Sequence, residues 1–226
     1  MAKSISLEHI SQTEENYLKV IFSLSEKSDK PVSTNAISNG INTSAASVTD
    51  MLKRLSEKEL IHYEKYKGVT LTQSGDRIAR LLVRKHRLWE TFLVEKLDFN
   101  WDEVHEIAEQ LEHIRSKDLV ERLDAFLGHP KFDPHGDPIP DAQGNFAFRK
   151  QVLLSELLDE ESGVVVGVKD HSAVFLQYLD QMQLNLGARV KVIERFDYDE
   201  SVKILLNGTM EQVLSKKVCQ NLYVKQ

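Results

Sequence analysis

The 226-residue sequence holds one cysteine, five prolines and no apolar run approaching the roughly 18 residues that a membrane span needs. A lone thiol, Cys219, rules out an internal disulfide framework and suits a reducing compartment. Without a partner it reads as a small packed hydrophobe. The opening MAKSISLEHISQTEENY puts polar and acidic residues where a signal peptide needs an apolar block, so the expected location is the cytoplasm, with no membrane partner. A cationic excess is also missing: the net charge is -6, which by itself argues against a general affinity for nucleic acid. What remains is ordinary for a folded protein, since 41% hydrophobic residues can build one large core or two to three small ones.

The charge is uneven along the chain. Residues 1–67 balance, residues 68–147 carry an excess of five acids, and residues 148–226 an excess of one. A carboxylate-rich segment is either a solvated face or a site for a cation, and composition does not choose. Proline is uneven too: Pro130, Pro134, Pro138 and Pro140 all lie in HPKFDPHGDPIPDAQGN, which reads as an extended connector.

Before the connector the pattern is mostly helical. Ser11 and Glu14 have capping-box spacing and open a helix to about Lys27. A short helix from Thr34, stopped by Gly40, precedes a second from Ser44 to Lys58 with Val48, Leu52 and Leu55 on one face. IHYEK and VTLT then form a hairpin about Tyr66-Lys67-Gly68. This is the order of a winged helix-turn-helix. A long helix over 73–97 follows, then helices over 101–114 and 117–126. After the connector, VLLSELL reads as a helix, VVVGV as a buried strand and 172–182 as a helix, and four short strand candidates over the last forty residues suggest a small antiparallel barrel. The expected class is α+β multidomain, divided at 1–73, 74–147 and 148–226.

In a helix-turn-helix the second helix enters the major groove by its N-terminal end, here TSAASVTDMLKRL. Ser44, Ser47 and Thr49 suit phosphate contacts, Asp50 can accept from a cytosine amino group, and Ala45 and Ala46 can touch thymine methyls. Lys53, Arg54, Lys65 and Lys67 can neutralise phosphates. The same hydroxyls could be plain cap residues, and winged helices also serve as protein-interaction modules.

The acidic segment contains His86 and Glu90, four apart, and HEIAEQLEH with His105, Glu109, Glu112 and His113. Spacings of three and four place these side chains on common helical faces. Imidazole and carboxylate donors without thiolate suit manganese or ferrous iron, and also zinc. Exposed Glu and His on a helix are otherwise simply a solvated surface. Glu-x-x-His on bundle helices also builds dimetal carboxylate enzymes, but such a site wants two of these motifs and the chain has one. A metal-independent winged-helix adaptor is a third reading.

With TEENYL at 13–18, SAASVTDMLKRL at 44–55, HRLWE at 86–90, HEIAEQLEH at 105–113 and PHGDPIP at 134–140, the chain resembles the diphtheria-toxin-repressor family of metal-dependent regulators over nearly its whole length. The resemblance implies a homodimer with an N-terminal winged helix, a helical dimerisation and metal domain, and a C-terminal Src-homology-3-like β-barrel. It places Asn16, Glu109, Glu112 and His113 at the family's principal metal site, and His86, Glu90 and His105 at its ancillary site. Asp170 and His171 are the nearest barrel positions to further oxygen ligands. Three positions depart from one pattern or the other. Glu109 and Asn16 stand where the iron-responsive prototype has cysteine and methionine, Glu109 matching manganese-responsive members, whereas Lys19 and Asn16 stand where those members have a carboxylate and an Asp or similar group. The implied function is a repressor of metal-uptake genes, not an enzyme and without a small-molecule substrate. Mn2+ or Fe2+ would activate it, Zn2+ or Co2+ could do so in vitro, and its target would be a palindromic operator. The ion would clamp the winged helix to the metal domain through Asn16.

Overall fold

The computed structural model describes residues 10–28 and 30–226, so the reading of the polar start over 1–9 lies outside the described residues. The chain divides into two compact units. The first takes Met1–His86, Gln110–Leu123 and Pro140–Asn145; the second takes Arg87–Glu109, Asp124–Ile139 and Phe146–Gln226.

The first unit begins with α1 (Gln12–Ser25), capped by Ser11 and Glu14 in the reciprocal box the sequence predicts. Helix α2 (Thr34–Ile41) and helix α3 (Ala45–Glu57) follow, with Ser33 and Ser44 as their N-caps. Gly40 does not stop α2. The left-handed residue that ends the helix is Asn42, whose φ is 55°, and Gly40 sits inside, where a Cβ would come within 2.9 Å of Val20 Cγ1. Strands β1 (Ile61–Glu64) and β2 (Gly68–Leu71) pair antiparallel, and Val32 adds a bridge to Val69. Leu18, Ile21, Phe22, Ile37, Val48, Leu52, Leu55, Leu60 and Ile61 are all buried. Each contributes roughly 1.5–3 kcal/mol by leaving water. Helix α4 (Gln73–Leu97) starts where Thr72 Oγ1 accepts from Gly75 N at 3.1 Å, and its residues through His86 belong to this unit.

In the second unit, α5 (Val104–Leu111) is shorter than expected because residues 101–103 form a turn, whereas α6 (Lys117–Phe126) keeps its predicted bounds across the division between units. The C-terminal part is a six-stranded antiparallel sheet in the order β3-β8-β4-β5-β6-β7. These strands are β3 (Val152–Leu153), β4 (Ser162–Val168), β5 (Arg189–Arg195), β6 (Val202–Leu206), β7 (Met210–Leu214) and β8 (Leu222–Lys225), with α7 (Ala173–Gln181) and the one-turn α8 (Lys216–Cys219) inserted. Register shifts at Val165/Gly167 and Val192/Glu194 bend the sheet. Its core includes Leu154, Leu157, Val165, Leu176, Val192, Ile204, Leu214 and Cys219. Burial pushes the Cys219 thiol up to about 11, so it is a packed, unreactive group.

Two expectations fail here. VLLSELL is not a helix: Val152 and Leu153 pair with β8, and Glu156 accepts from Leu153 N at 3.0 Å to close a single 3-10 turn. Pairing with a neighbouring strand outweighs local propensity. Nor is the proline-rich stretch extended. Over residues 131–139 it folds back on itself, with an isolated bridge between Phe132 and Pro138 and a hydrogen bond from Ile139 N to Lys131 O. Asp133 Oδ1 accepts from both His135 N and Asp137 N at 2.9 Å, which is the local turn that replaces an open connector.

Candidate functional site

On α3 the exposed residues are Ser44, Ala45, Ala46, Ser47, Asp50, Lys53 and Arg54, opposite the buried Val48, Leu52 and Leu55, while Thr49 is half-buried. Part of the hydroxyl set is engaged locally: Ser44 Oγ accepts from Ser47 N, and Thr49 Oγ1 donates to Ala45 O. Asp50 pairs with Lys53 at 3.3 Å and Lys67 with Glu64 at 2.6 Å, both in water, where such pairs hold little energy and yield readily to a phosphate. At the wing tip Tyr66 is 93% exposed with the Lys65 ammonium over its ring. The sequence reading treated Tyr66 only as a turn residue.

The predicted metal ligands are shared between the two units. In the first unit Glu112 is fully buried. Lys19 Nζ donates to both its oxygens at 2.7 and 2.8 Å, and His86 Nδ1 lies 2.6 Å from Oε2. Burial raises the Glu112 pKa, but the His86 hydrogen bond and the Lys19 charge outweigh it and hold the carboxyl below its ordinary value. His113 Nδ1 lies 2.6 Å from Glu15 Oε2. Asn16 Oδ1 is buried without a hydrogen-bond partner. Sequence reasoning did not single out Glu15; its signal was an acid next to Asn16 and four residues before Lys19 on α1.

In the second unit Glu90, Asp133 and His135 are all buried, and one ligand atom from each lies within 4.8 Å of the others. His135 Nε2 lies 2.8 Å from Trp101 O. A carbonyl only accepts, so Nε2 carries a proton, and Nδ1 lies 3.8 Å from Glu90 Oε2. Anchoring one imidazole nitrogen on a carbonyl to free the other for a cation is a recurrent feature of metal centres. The ring stacks on Trp101 at 6.1 Å and on His171 at 5.1 Å. His105 Nδ1 reaches Glu90 Oε1 at 3.3 Å. Arg87 lies 3.5 Å from Asp133 and donates to Asp137 at 2.9 Å. Even so, burial first, and then the Glu90 and Asp137 charges, push the Asp133 carboxyl up to about 7. Asp170 Oδ1 accepts from Ser172 N, and His171 Nε2 lies 3.9 Å from Asp137. Asp133 and His135 were missed in the sequence because the proline run masked an acid and a histidine two residues apart. Glu109 lies in the last turn of α5, half-buried.

The two groups fit a divalent cation differently. The second offers crowded carboxylates, one of them, Asp133, holding a proton near neutrality, beside an imidazole anchored through Nε2 on a carbonyl, and it fits. In the first, both oxygens of the central carboxylate already accept from an ammonium.

Three family models match in succession: "Iron dependent repressor, N-terminal DNA binding domain" over residues 9–69, "Iron dependent repressor, metal binding and dimerisation domain" over 72–141, and "FeoA domain" over 152–226. The chain is 34% identical over 128 residues to the iron-dependent repressor IdeR of Mycobacterium tuberculosis, covering 57% of this chain and 55% of that one. It thus spans about half the length of such curated relatives. It is 32% identical to the HTH-type transcriptional regulator MntR of Oceanobacillus iheyensis, covering 53% of this chain and 80% of that one. A solved manganese-dependent transcriptional repressor in complex with manganese superposes with a TM-score of 0.83 at 36% identity, covering 93% of this chain and 98% of that one.

Proposed function

We propose, because the chain belongs to the iron-dependent (diphtheria-toxin) repressor family, that it is a divalent-metal-activated repressor of metal-uptake genes that binds palindromic operator DNA as a cytoplasmic homodimer. The family is one of DNA-binding repressors rather than enzymes, so the dimetal carboxylate enzyme is set aside. The observation that carries the reading is the buried trio of Glu90, Asp133 and His135, with His135 oriented by Trp101 O. No helix among the described residues is long and apolar enough to cross a membrane. In this reading residues 1–73 bind DNA, 74–147 supply metal ligands and the dimer contact, and 148–226 form the barrel. The aromatic group of Trp89, Phe92 and Phe126, the last 65% exposed, is apolar surface of the kind a second copy covers.

A bound Mn2+ or Fe2+ would add positive charge among Glu90, Asp133 and Asp137, which Arg87 meets only at Asp133 and Asp137. Nitrogen and oxygen donors without sulfur favour manganese, and an iron-responsive member is the second reading. Asp133 holds the 131–139 turn through its two backbone bonds while offering its charge, and Arg87 and His105 orient the carboxylates beside it. Metal binds the DNA-competent state more tightly in this reading, so operator binding must reciprocally raise metal affinity. Titrating metal-free protein with Mn2+, Fe2+ and Zn2+ while following retardation of its own upstream DNA tests the whole reading. Binding unchanged by every metal would overturn it.

Two further results are expected. Since Asp133 must lose its proton to bind a cation, manganese affinity should fall about tenfold per pH unit below about 7 and level off above it. Calorimetry at about pH 6 and about pH 8 measures this, and equal affinities would remove Asp133 from the ligand set. Arg54→Ala and Lys67→Ala should weaken all operator sequences alike and lower the salt slope by about one each, whereas Asp50→Ala should change preference among sequences. Filter binding over a salt series distinguishes the two behaviours.

A further inference from the structure

We infer that Lys19 is the permanent cation of the first unit's cluster, so that this part of the chain is fastened by its own ammonium and takes no metal ion. Lys19 lies on α1 and Glu112 just after α5, so their contact ties the opening helix of the winged helix to the Gln110–Leu123 segment. The ammonium meets both carboxylate oxygens at 2.7 and 2.8 Å, and Glu112 has no exposed surface. At such distances and burial a charge-assisted pair is strong, and removing one partner strands the other.

The neighbouring charges agree. Lys85 interacts with Glu15, Glu112 and Arg115, and Lys19 pairs with Glu112. His86 is already bonded to Glu112 and His113 to Glu15. A divalent ion would enter a region that is not short of positive charge. Asn16 Oδ1 is unsatisfied but neutral, so it leaves no charge to offset. Arg115 Nη2 donates to Ile10 O at 2.8 Å, a second tie of the same segment that needs no ion. In the second unit three carboxylates, Glu90, Asp133 and Asp137, stand against two guanidinium groups, those of Arg87 and Arg149. The clamp that the sequence assigns to a metal at Asn16 is thus made by Lys19, and metal dependence rests on the second unit alone.

This inference rests on the second unit being the metal centre, and the experiment separates the two. Calorimetric titration of the full chain with Mn2+ should give about one ion per subunit, lost on His135→Ala; no uptake by wild type would overturn the metal-centre reading. The His135→Ala chain then reads the first cluster alone. It should bind no Mn2+ at concentrations that saturate wild type. Adding Lys19→Met should create uptake of about one ion, abolished by Glu112→Gln, and Mn2+ should raise the melting temperature of Lys19→Met/His135→Ala but not of His135→Ala. Glu112-dependent uptake with Lys19 in place, or none after Lys19→Met, would overturn the inference. Should Lys19→Met fail to fold, the His135→Ala titration with its Glu112→Gln control decides by itself: Glu112-dependent uptake overturns the inference, and its absence supports it.

Discussion

Asp133→Asn is expected to raise the manganese concentration needed for DNA binding by about 100-fold or more while leaving the metal-free protein as stable as wild type or more so. The loss should exceed the 10–100-fold typical of groups that only orient ligands. An amide oxygen can still accept from His135 N and Asp137 N, so the turn survives. What disappears is a buried negative charge beside Glu90 and Asp137. The sign follows from the raised carboxyl. Its folded pKa of about 7 lies above the ordinary 3.8, so the folded state prefers the proton. Metal-free stability is therefore greatest at low pH and falls as pH rises through that interval. The amide removes this slope. Thermal unfolding in chelator across the interval, with Mn2+-dependent DNA retardation alongside, measures both effects. A destabilised metal-free variant with unchanged activation would make Asp133 a structural residue.

Gly136→Ala should lower stability by about 3 kcal/mol or more, and the melting temperature by roughly 10 °C, with manganese binding lost along with it. Gly136 has φ +87°, and a Cβ there would lie 2.1 Å from Val166 O and 2.4 Å from Gly167 Cα. These are backbone atoms of β4 and cannot swing away. The left-handed conformation alone costs about 1 kcal/mol; the rest is the turn being pushed off the strand. Val168 N donates to His135 O at 2.9 Å and Arg149 to Gly136 O at 2.6 Å, so the same displacement moves His135. Gly128→Ala serves as the control, having φ +75° and nothing within 4 Å of its Cβ, and should show only the conformational cost. Equal melting temperatures for the two variants would sink the steric account.

Much of the fold was legible in the sequence because its signals are local. The capping box of Ser11 and Glu14, the apolar stripe of Val48, Leu52 and Leu55 and the turn at Tyr66 to Gly68 each act within a few residues. The candidate site was legible only in part. Helical spacing marked Glu90, His105, Glu112 and His113, but spacing says which face a group shares, not what lies opposite it. Asp133 and His135 escaped because prolines speak of φ and missing donors, and are silent on where the intervening side chains go.

By itself the sequence determined the winged helix, the long α4, the acidic middle and a donor set without sulfur, since caps, periodicity and residue chemistry need no distant partner. Only the tertiary structure decided which charges meet. It placed Lys19 on Glu112, 93 residues away in sequence, and it folded the proline stretch against β4 so that Asp133 and His135 stand beside Glu90. A carboxylate balanced by an ammonium and one crowded by other carboxylates look alike in sequence. They differ only through burial and the sign of the nearest charge, and both are set by packing.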